Sequence, residues 1–326
     1  MIIIRTPLRV SFFGGGTDIP WFFEEHGPGH VLSMAIDKHV YISGHPMFAS
    51  QDILLKYSSI ERVSSPERLI HPIAREVLSS HGTTGYDIGV SADVPAGTGL
   101  GSSSAFAVGL INLAGEVEGV SYSKNALAEK ACDVEINRLG EPIGKQDQYA
   151  SAYGGINLFD FLPNGSVDSH PLKISQEAKT WLSESLILVR TGSSTRSASE
   201  QLAGQRKAAL SNPQLTKNLQ RLAILAKEAH DALEQDITNL GEMLRESWEL
   251  KKASSPSVSN QQVDDLVAYG LAAGAKGAKL LGAGEGGFVL FAFPEGKLES
   301  RARVFPESST LRISLDEVGS KLIYRS

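Results

Sequence analysis

The chain has 326 residues with 41% apolar content, enough to bury a sizeable core and to divide into two domains. Its net charge of −6 argues against general nucleic-acid or anionic-membrane binding, and no apolar run approaches transmembrane length. A single cysteine, Cys132, excludes an internal disulfide, and the histidines lack metal-ligand spacing.

The first residues, Met1 to Pro7, carry no basic leader, so a cytoplasmic location is expected. A strand beginning near Ile2 is predicted to run through Arg5, Arg9 and Val10 into the turn Gly14-Gly15-Gly16-Thr17-Asp18. Arg5 and Arg9 have the same parity, so an uninterrupted strand would point both to one face, either simply solvated or clamping an anion. Val31 to Pro46 reads as further strand, Ile70 to His81 as helix and Tyr86 to Val94 as strand.

Next comes Pro95-Ala96-Gly97-Thr98-Gly99-Leu100-Gly101-Ser102-Ser103-Ser104, running into a helix marked by Phe106, Leu110, Leu113 and Val117. Missing Cβ atoms let the backbone approach a ligand closely, and the serines fall where uncapped N–H groups favour an anion. A phosphate chain suits such a loop, and a plain tight turn is the plainer alternative. The lysine-bearing P-loop is excluded because no Gly-Lys-Ser/Thr closes the segment. The only Gly-x-Gly-x-x-Gly match, Gly282 to Gly287, precedes an apolar strand rather than a helix and so is no dinucleotide fingerprint.

A helix from about 124 to 139, with Ser123 as N-cap and Gly140 after it, carries the stripe Leu127, Ala131, Glu135, Leu139. A carboxylate on that face needs a cation, a metal or donors. Arg138 at i+3 is one candidate partner, and a Mg²⁺ shared with Ser103 is the other. Glu141 to Tyr149 opens another helix that ends at Gly154-Gly155. Within it Asp147 is either a cap or a base for a hydroxyl nucleophile, with Lys145 holding its pKa low.

Ile156 to Phe161 reads as strand, 163–179 as polar loop and Ser185 to Arg190 as strand. A Gly/Ser/Thr loop bearing Arg196 follows, then helix formers to about 252, a helix over 260–273 and a strand from Phe288. Strands and helices mix without regular βα alternation, which predicts α+β, with domains at 1–180 and 181–326.

Three blocks in order resemble the GHMP kinases (galactokinase, homoserine, mevalonate and phosphomevalonate kinases): Arg5 to Asp18, Pro95 to Phe106 and Lys279 to Phe288. Further segments, Glu135 to Tyr149, Arg190-Thr-Gly and Ser247 to Lys252, are similar to a subgroup of bacterial sugar kinases that phosphorylate the anomeric hydroxyl of a heptose 7-phosphate. The resemblance implies an N-terminal domain like ribosomal protein S5 domain 2 and a C-terminal ferredoxin-like domain. It implies ATP on residues 97–104, Mg²⁺ on Ser103 and Glu135, and catalysis by Asp147 with Lys145. Asp147 matches the family's catalytic aspartate within Gly-x-x-Asp-x-x-x-Ser, here Gly144 to Ser151. By position Asp18 would grip sugar hydroxyls, with Gly16, Thr17 and Gly284 also on the substrate; Arg9, Lys145 and Arg196 are the candidates beyond the motif for its phosphate, and a homodimer is compatible with this class. Glu285 departs from the glycine usual in relatives.

Overall fold

The computed structural model describes residues 1–191, 200, 202, 204, 207, 212–254, 258–284, 286–294 and 304–326. Two sheets organise it. The larger has eight strands, in the order β12-β1-β2-β5-β3-β4, with β6 on β2 and β7 on β6. These are β1 (Ile2–Phe13), β2 (Gly29–Pro46), β3 (Ile53–Lys56), β4 (Ile60–Val63), β5 (Tyr86–Ala92), β6 (Ile156–Phe161), β7 (Val167–Pro171) and β12 (Lys321–Arg325). The length of β2 lets it pair β1 on one side while sharing the other between β6 at residues 29–34 and β5 at 40–46.

The helices α1 (Pro20–Glu25), α2 (Pro72–Ser80), α3 (Ser102–Glu118), α4 (Lys124–Cys132), α5 (Gln146–Tyr153) and α6 (Gln176–Ser185) belong to this half. Nearly every position of α3 from Ser104 to Gly115 is buried, so its apolar residues surround it rather than forming one stripe. The expected 124–139 helix divides: α4 gives way to a π-helical turn over Asp133–Arg138, the kind of local widening often found at functional sites.

The second sheet is antiparallel with order β11-β8-β10-β9, from β8 (Leu186–Arg190), β9 (Gly277–Leu280), β10 (Phe288–Ala292) and β11 (Thr310–Arg312). Numbered within the domain this is 4-1-3-2, the ferredoxin-like arrangement that the sequence resemblance implied. Its helices are α7 (Pro213–Gln235), α8 (Leu240–Ser254) and α9 (Gln261–Ala272). Trp248, Val263 and Val267 pack with Val289 and Phe291 to form this core. Leu215, Leu219 and Leu222 of α7 close over Ile19, Trp21 and Phe22, fastening the two halves together. The last strand, β12, leaves the second half and pairs β1 antiparallel. Among the described residues no helix is long and apolar enough to cross a membrane.

Candidate active site

The glycine–serine segment and the C-terminal glycine segment meet backbone to backbone. Gly99 has φ +82°, and a Cβ there would stand 2.8 Å from the carbonyl oxygen of Leu281. A side chain on Gly282 would in turn reach Gly99 Cα at 2.7 Å. Both glycines are therefore required by contact, and by conformation as well, since Gly282 has φ +74°. Gly101, with φ 76°, starts α3 without any side-chain cap, so the first N–H groups of a 17-residue helix are left for a ligand. A cavity of about 500 Å³ opens there, lined by Gly97, Gly99, Gly101 and Ser102 to Ser104 on one side and Gly282 on the other. Ser11 Oγ, Ser102 Oγ and Gln146 Oε1 border it, buried and without a hydrogen-bond partner among the described residues. Buried polar atoms are rarely left so, and a polar ligand would satisfy them.

Asp147 lies on this cavity at the start of α5, held by Arg9 through a two-pronged ion pair. Arg9 Nε donates to Oδ1 at 2.7 Å and Nη2 to Oδ2 at 2.6 Å, while Nη1 donates to Gly99 O at 2.6 Å. This fork joins the acid to the glycine–serine loop with planar geometry that only arginine offers. Arg9 is thus committed to Asp147, and the expectation that it serves the substrate phosphate is corrected accordingly. Asp147 is not the cap of α5 either. Asp18 performs that task, accepting from Gln146 N at 3.1 Å, Gln146 Nε2 at 3.1 Å and Gly16 N at 3.0 Å. A side chain on Gly144 would collide with the Asp18 carboxylate, which accounts for glycine there. Burial raises the Asp18 pKa, with the Asp147 charge adding to the rise and the backbone N–H of Gln146 opposing it.

Lys145 does not act on Asp147. Its Nζ donates to Gly165 O at 2.7 Å and sits 5.3 Å from the centre of the Phe23 ring, so the carbonyl and ring hold it away from the acid. Arg5 also departs from expectation. The β1–β2 register shifts between Pro7 and Arg9, which breaks their common parity, and Arg5 pairs instead with Asp316 at 3.0 Å.

Glu135, 2% exposed, sits on the π-helical turn and faces the glycine–serine loop. It accepts from Ser103 Oγ at 2.9 Å and from Gln148 Nε2 at 2.7 Å, and Ser104 bonds it as well. Burial raises its pKa against these bonds. The alternative partner Arg138 is taken by Asp133 at 2.8 Å. A buried carboxylate with serine hydroxyls beside it, lacking a cationic partner among the described residues, is a hard-oxygen donor set of the kind Mg²⁺ selects.

Gly16 and Asp18 line the cavity, whereas other expected residues act from behind it. Thr17 is wholly buried, its hydroxyl donating to Gly14 O at 2.8 Å and accepting from His30 N at 3.1 Å, so it shapes the turn rather than meeting a sugar. Thr98 donates to Pro95 O at 3.0 Å, and the Leu100 side chain belongs to the core, so both can offer a ligand only backbone. Gly284 packs against Val258 rather than lining the cavity. Arg196 and Glu285 lie outside the described residues.

Two cavity residues escaped the sequence reading. Lys251 Nζ donates to Leu280 O at 3.1 Å and Gly282 O at 2.7 Å, and Lys279 Nζ to Ser11 O at 3.1 Å and Phe12 O at 2.6 Å. Burial and neighbouring cations push Lys251 down to about 7 and Lys279 well below an ordinary lysine. The only sequence signal was their membership of the resembling segments.

Comparison with known proteins agrees with this geometry. The family models for the GHMP kinases N terminal domain and GHMP kinases C terminal match residues 68–155 and 226–308. The chain is 30% identical to D-glycero-alpha-D-manno-heptose 7-phosphate kinase of Campylobacter jejuni, over 88% of each chain. Its fold superposes on a D-glycero-D-manno-heptose 1-phosphate kinase from Bacteroides thetaiotaomicron with a TM-score of 0.81 at 22% identity, covering 100% of both chains. A putative sugar kinase from Campylobacter jejuni gives a TM-score of 0.75 at 26% identity, over 98% of this chain and 97% of that one. With family models matching in both halves and a relative 30% identical over 88% of each chain, the chain belongs to the GHMP kinase family.

Proposed function

We propose that this sugar kinase transfers the γ-phosphoryl group of ATP to the anomeric C1 hydroxyl of D-glycero-D-manno-heptose 7-phosphate, supplying a precursor for nucleotide-activated heptose. The observation that carries the reading is the Arg9–Asp147 pair standing in one cavity with the uncapped start of α3. The relative of that name at 30% identity supports the choice of sugar.

In this reading the triphosphate lies along residues 97–104, its anionic oxygens met by the first N–H groups of α3 and by Ser102 Oγ, which has no other partner among the described residues. The acceptor hydroxyl faces Asp147, which takes its proton as the oxygen attacks phosphorus. Arg9, fixed to that carboxylate and to Gly99 O, holds the acid in position against the loop. Asp18, locked to Gln146, fixes the turn at residues 14–18 beside the sugar. Ser103 and Glu135 would hold Mg²⁺, which when bound neutralises charge on the transferring phosphates. Phosphoryl transfer of this type depends mainly on alignment and charge stabilisation, which a preformed cavity supplies.

ADP release measured over a panel of sugars tests the assignment. The reading expects turnover with the heptose 7-phosphate well above that with heptose, fucose or galactose. Activity confined to unphosphorylated sugars would overturn it.

A further inference from the structure

Two side chains of the cavity wall carry polar atoms that no group among the described residues uses. Ser11, 7% exposed, keeps its hydroxyl unpartnered, and Gln146 keeps its amide oxygen so. Pairing of β1 with β2 runs without a break from Arg9 to Ser11, so both residues project from one face of β1, roughly 7 Å apart. Gln146 immediately precedes Asp147 at the start of α5. The two free atoms are thus carried by the same elements as the Arg9–Asp147 pair.

They converge on Gly15, which also lines the cavity. A Cβ built there would have Ser11 Oγ at 3.4 Å, Gln146 Nε2 at 3.5 Å and Gln146 Oε1 at 4.0 Å as its nearest neighbours outside the adjacent residues. The spot in front of Gly15 is therefore open and within reach of both free atoms.

Their chemistry selects a neutral hydroxyl. Gln146 Nε2 donates to Asp18 Oδ1 at 3.1 Å, which fixes the orientation of the amide and leaves Oε1 as an acceptor. Ser11 Oγ can donate as well as accept. A hydroxyl donates to the first and accepts from the second, whereas a phosphate dianion has no proton for Oε1. An apolar group there would leave both atoms unpaired, which is how a polar site rejects an analogue lacking the hydroxyl.

We infer that Ser11 and Gln146 form a specificity seat for a second hydroxyl of the acceptor sugar, with Gly15 as its floor. This rests on the acceptor being a sugar, as proposed above, and not on which sugar it is.

Two variants read the seat in different ways. Ser11→Ala deletes a hydroxyl without a partner among the described residues, so thermal unfolding should hold. Its kcat/KM for heptose 7-phosphate should fall about three- to tenfold, the worth of one hydrogen bond. Gly15→Ala fills the spot with a methyl group at ordinary contact distances and without a left-handed φ, so the fold should again persist. Here kcat/KM for the sugar should fall roughly tenfold or more, because the hydroxyl is excluded outright. In both variants KM for ATP should stay within twofold. Monodeoxy analogues of the sugar pick out the hydroxyl. With the unaltered enzyme, one analogue should lose at least as much as Ser11→Ala loses on the full sugar, and Ser11→Ala should cost that analogue nothing further. Full turnover of the sugar by either variant, an equal effect of Ser11→Ala on every analogue, or a loss confined to KM for ATP would refute the seat. If another sugar of the panel proves to be the substrate, the proposed sugar falls and the same comparison with that sugar decides the seat. If no sugar is turned over, both fall together.

Discussion

Asp147 owes its place to three neighbours, none of them adjacent in sequence. Arg9 grips both carboxylate oxygens, Asp18 caps the helix it starts, and Gly144 leaves room for Asp18 to do so. Because Asp147→Asn keeps the shape but removes the proton acceptor, kcat should fall roughly 10²–10⁴-fold, the usual contribution of a positioned base. ATP affinity should change little. Steady-state kinetics with a direct nucleotide-binding measurement checks both, and an unaltered kcat would take Asp147 out of the chemistry. Arg9→Lys replaces the planar fork with a point charge and should cost activity while a folded protein remains. A circular-dichroism spectrum like that of the unaltered enzyme, with kcat reduced at least tenfold, is the expected pair of results.

At the level of elements, the function depends on one crossing: the loop before α3 lies against the glycine segment between β9 and β10. Gly99→Ala would add a side chain in a left-handed conformation facing the Leu281 carbonyl at 2.8 Å. Strain of this kind costs about 1–3 kcal/mol, so thermal unfolding should occur several degrees lower, with KM for ATP raised. Gly82, also at positive φ but with open space around it, is the control, since its alanine variant carries strain without the collision. Much of this arrangement was legible in the sequence because glycine clusters report backbone demands directly. Long elements such as β2 and α3 could be read from apolar content for similar reasons. The four-residue strands β3 and β4 were not, being too short to show a period. Nor was α6, whose first residues, 176–179, fell in the segment read as polar loop although Ser175 caps the helix. Lys145 misled and Lys251 went unread, since a sequence gives a lysine's position but not which carbonyl its long chain will reach.

Across the whole molecule, the end of the chain locks the first half. Asp316 receives Arg5 at 3.0 Å, His39 at 2.9 Å and the N–H groups of Val318 and Gly319 at 2.9 Å each, just before β12 joins β1. Gly319 meets Ala152 and Tyr153 so closely that a side chain there would collide with the end of α5, the helix whose start carries Asp147. Burial alone would raise the Asp316 pKa. The bonds from His39 and the backbone, with the Arg5 charge, outweigh it and hold the group at about 2. A folded-state pKa below the unfolded value gives stability that is present above the ordinary carboxylate range and lost as pH falls toward 2. The difference corresponds to about 2 kcal/mol. Asp316→Asn should therefore lower stability at neutral pH by roughly that amount and flatten its decline between pH 4 and 2, as denaturant unfolding at several pH values would reveal. Parallel declines in the two proteins would mean that Asp316 is not the linkage.

The whole account turns on where ATP rests, so the most direct measurement is a crystal structure with a non-hydrolysable ATP analogue and Mg²⁺. It should place the three phosphates along residues 97–104, with the terminal one facing Asp147. A triphosphate bound elsewhere, or an Asp147 side chain turned from it into packed core, would contradict the account.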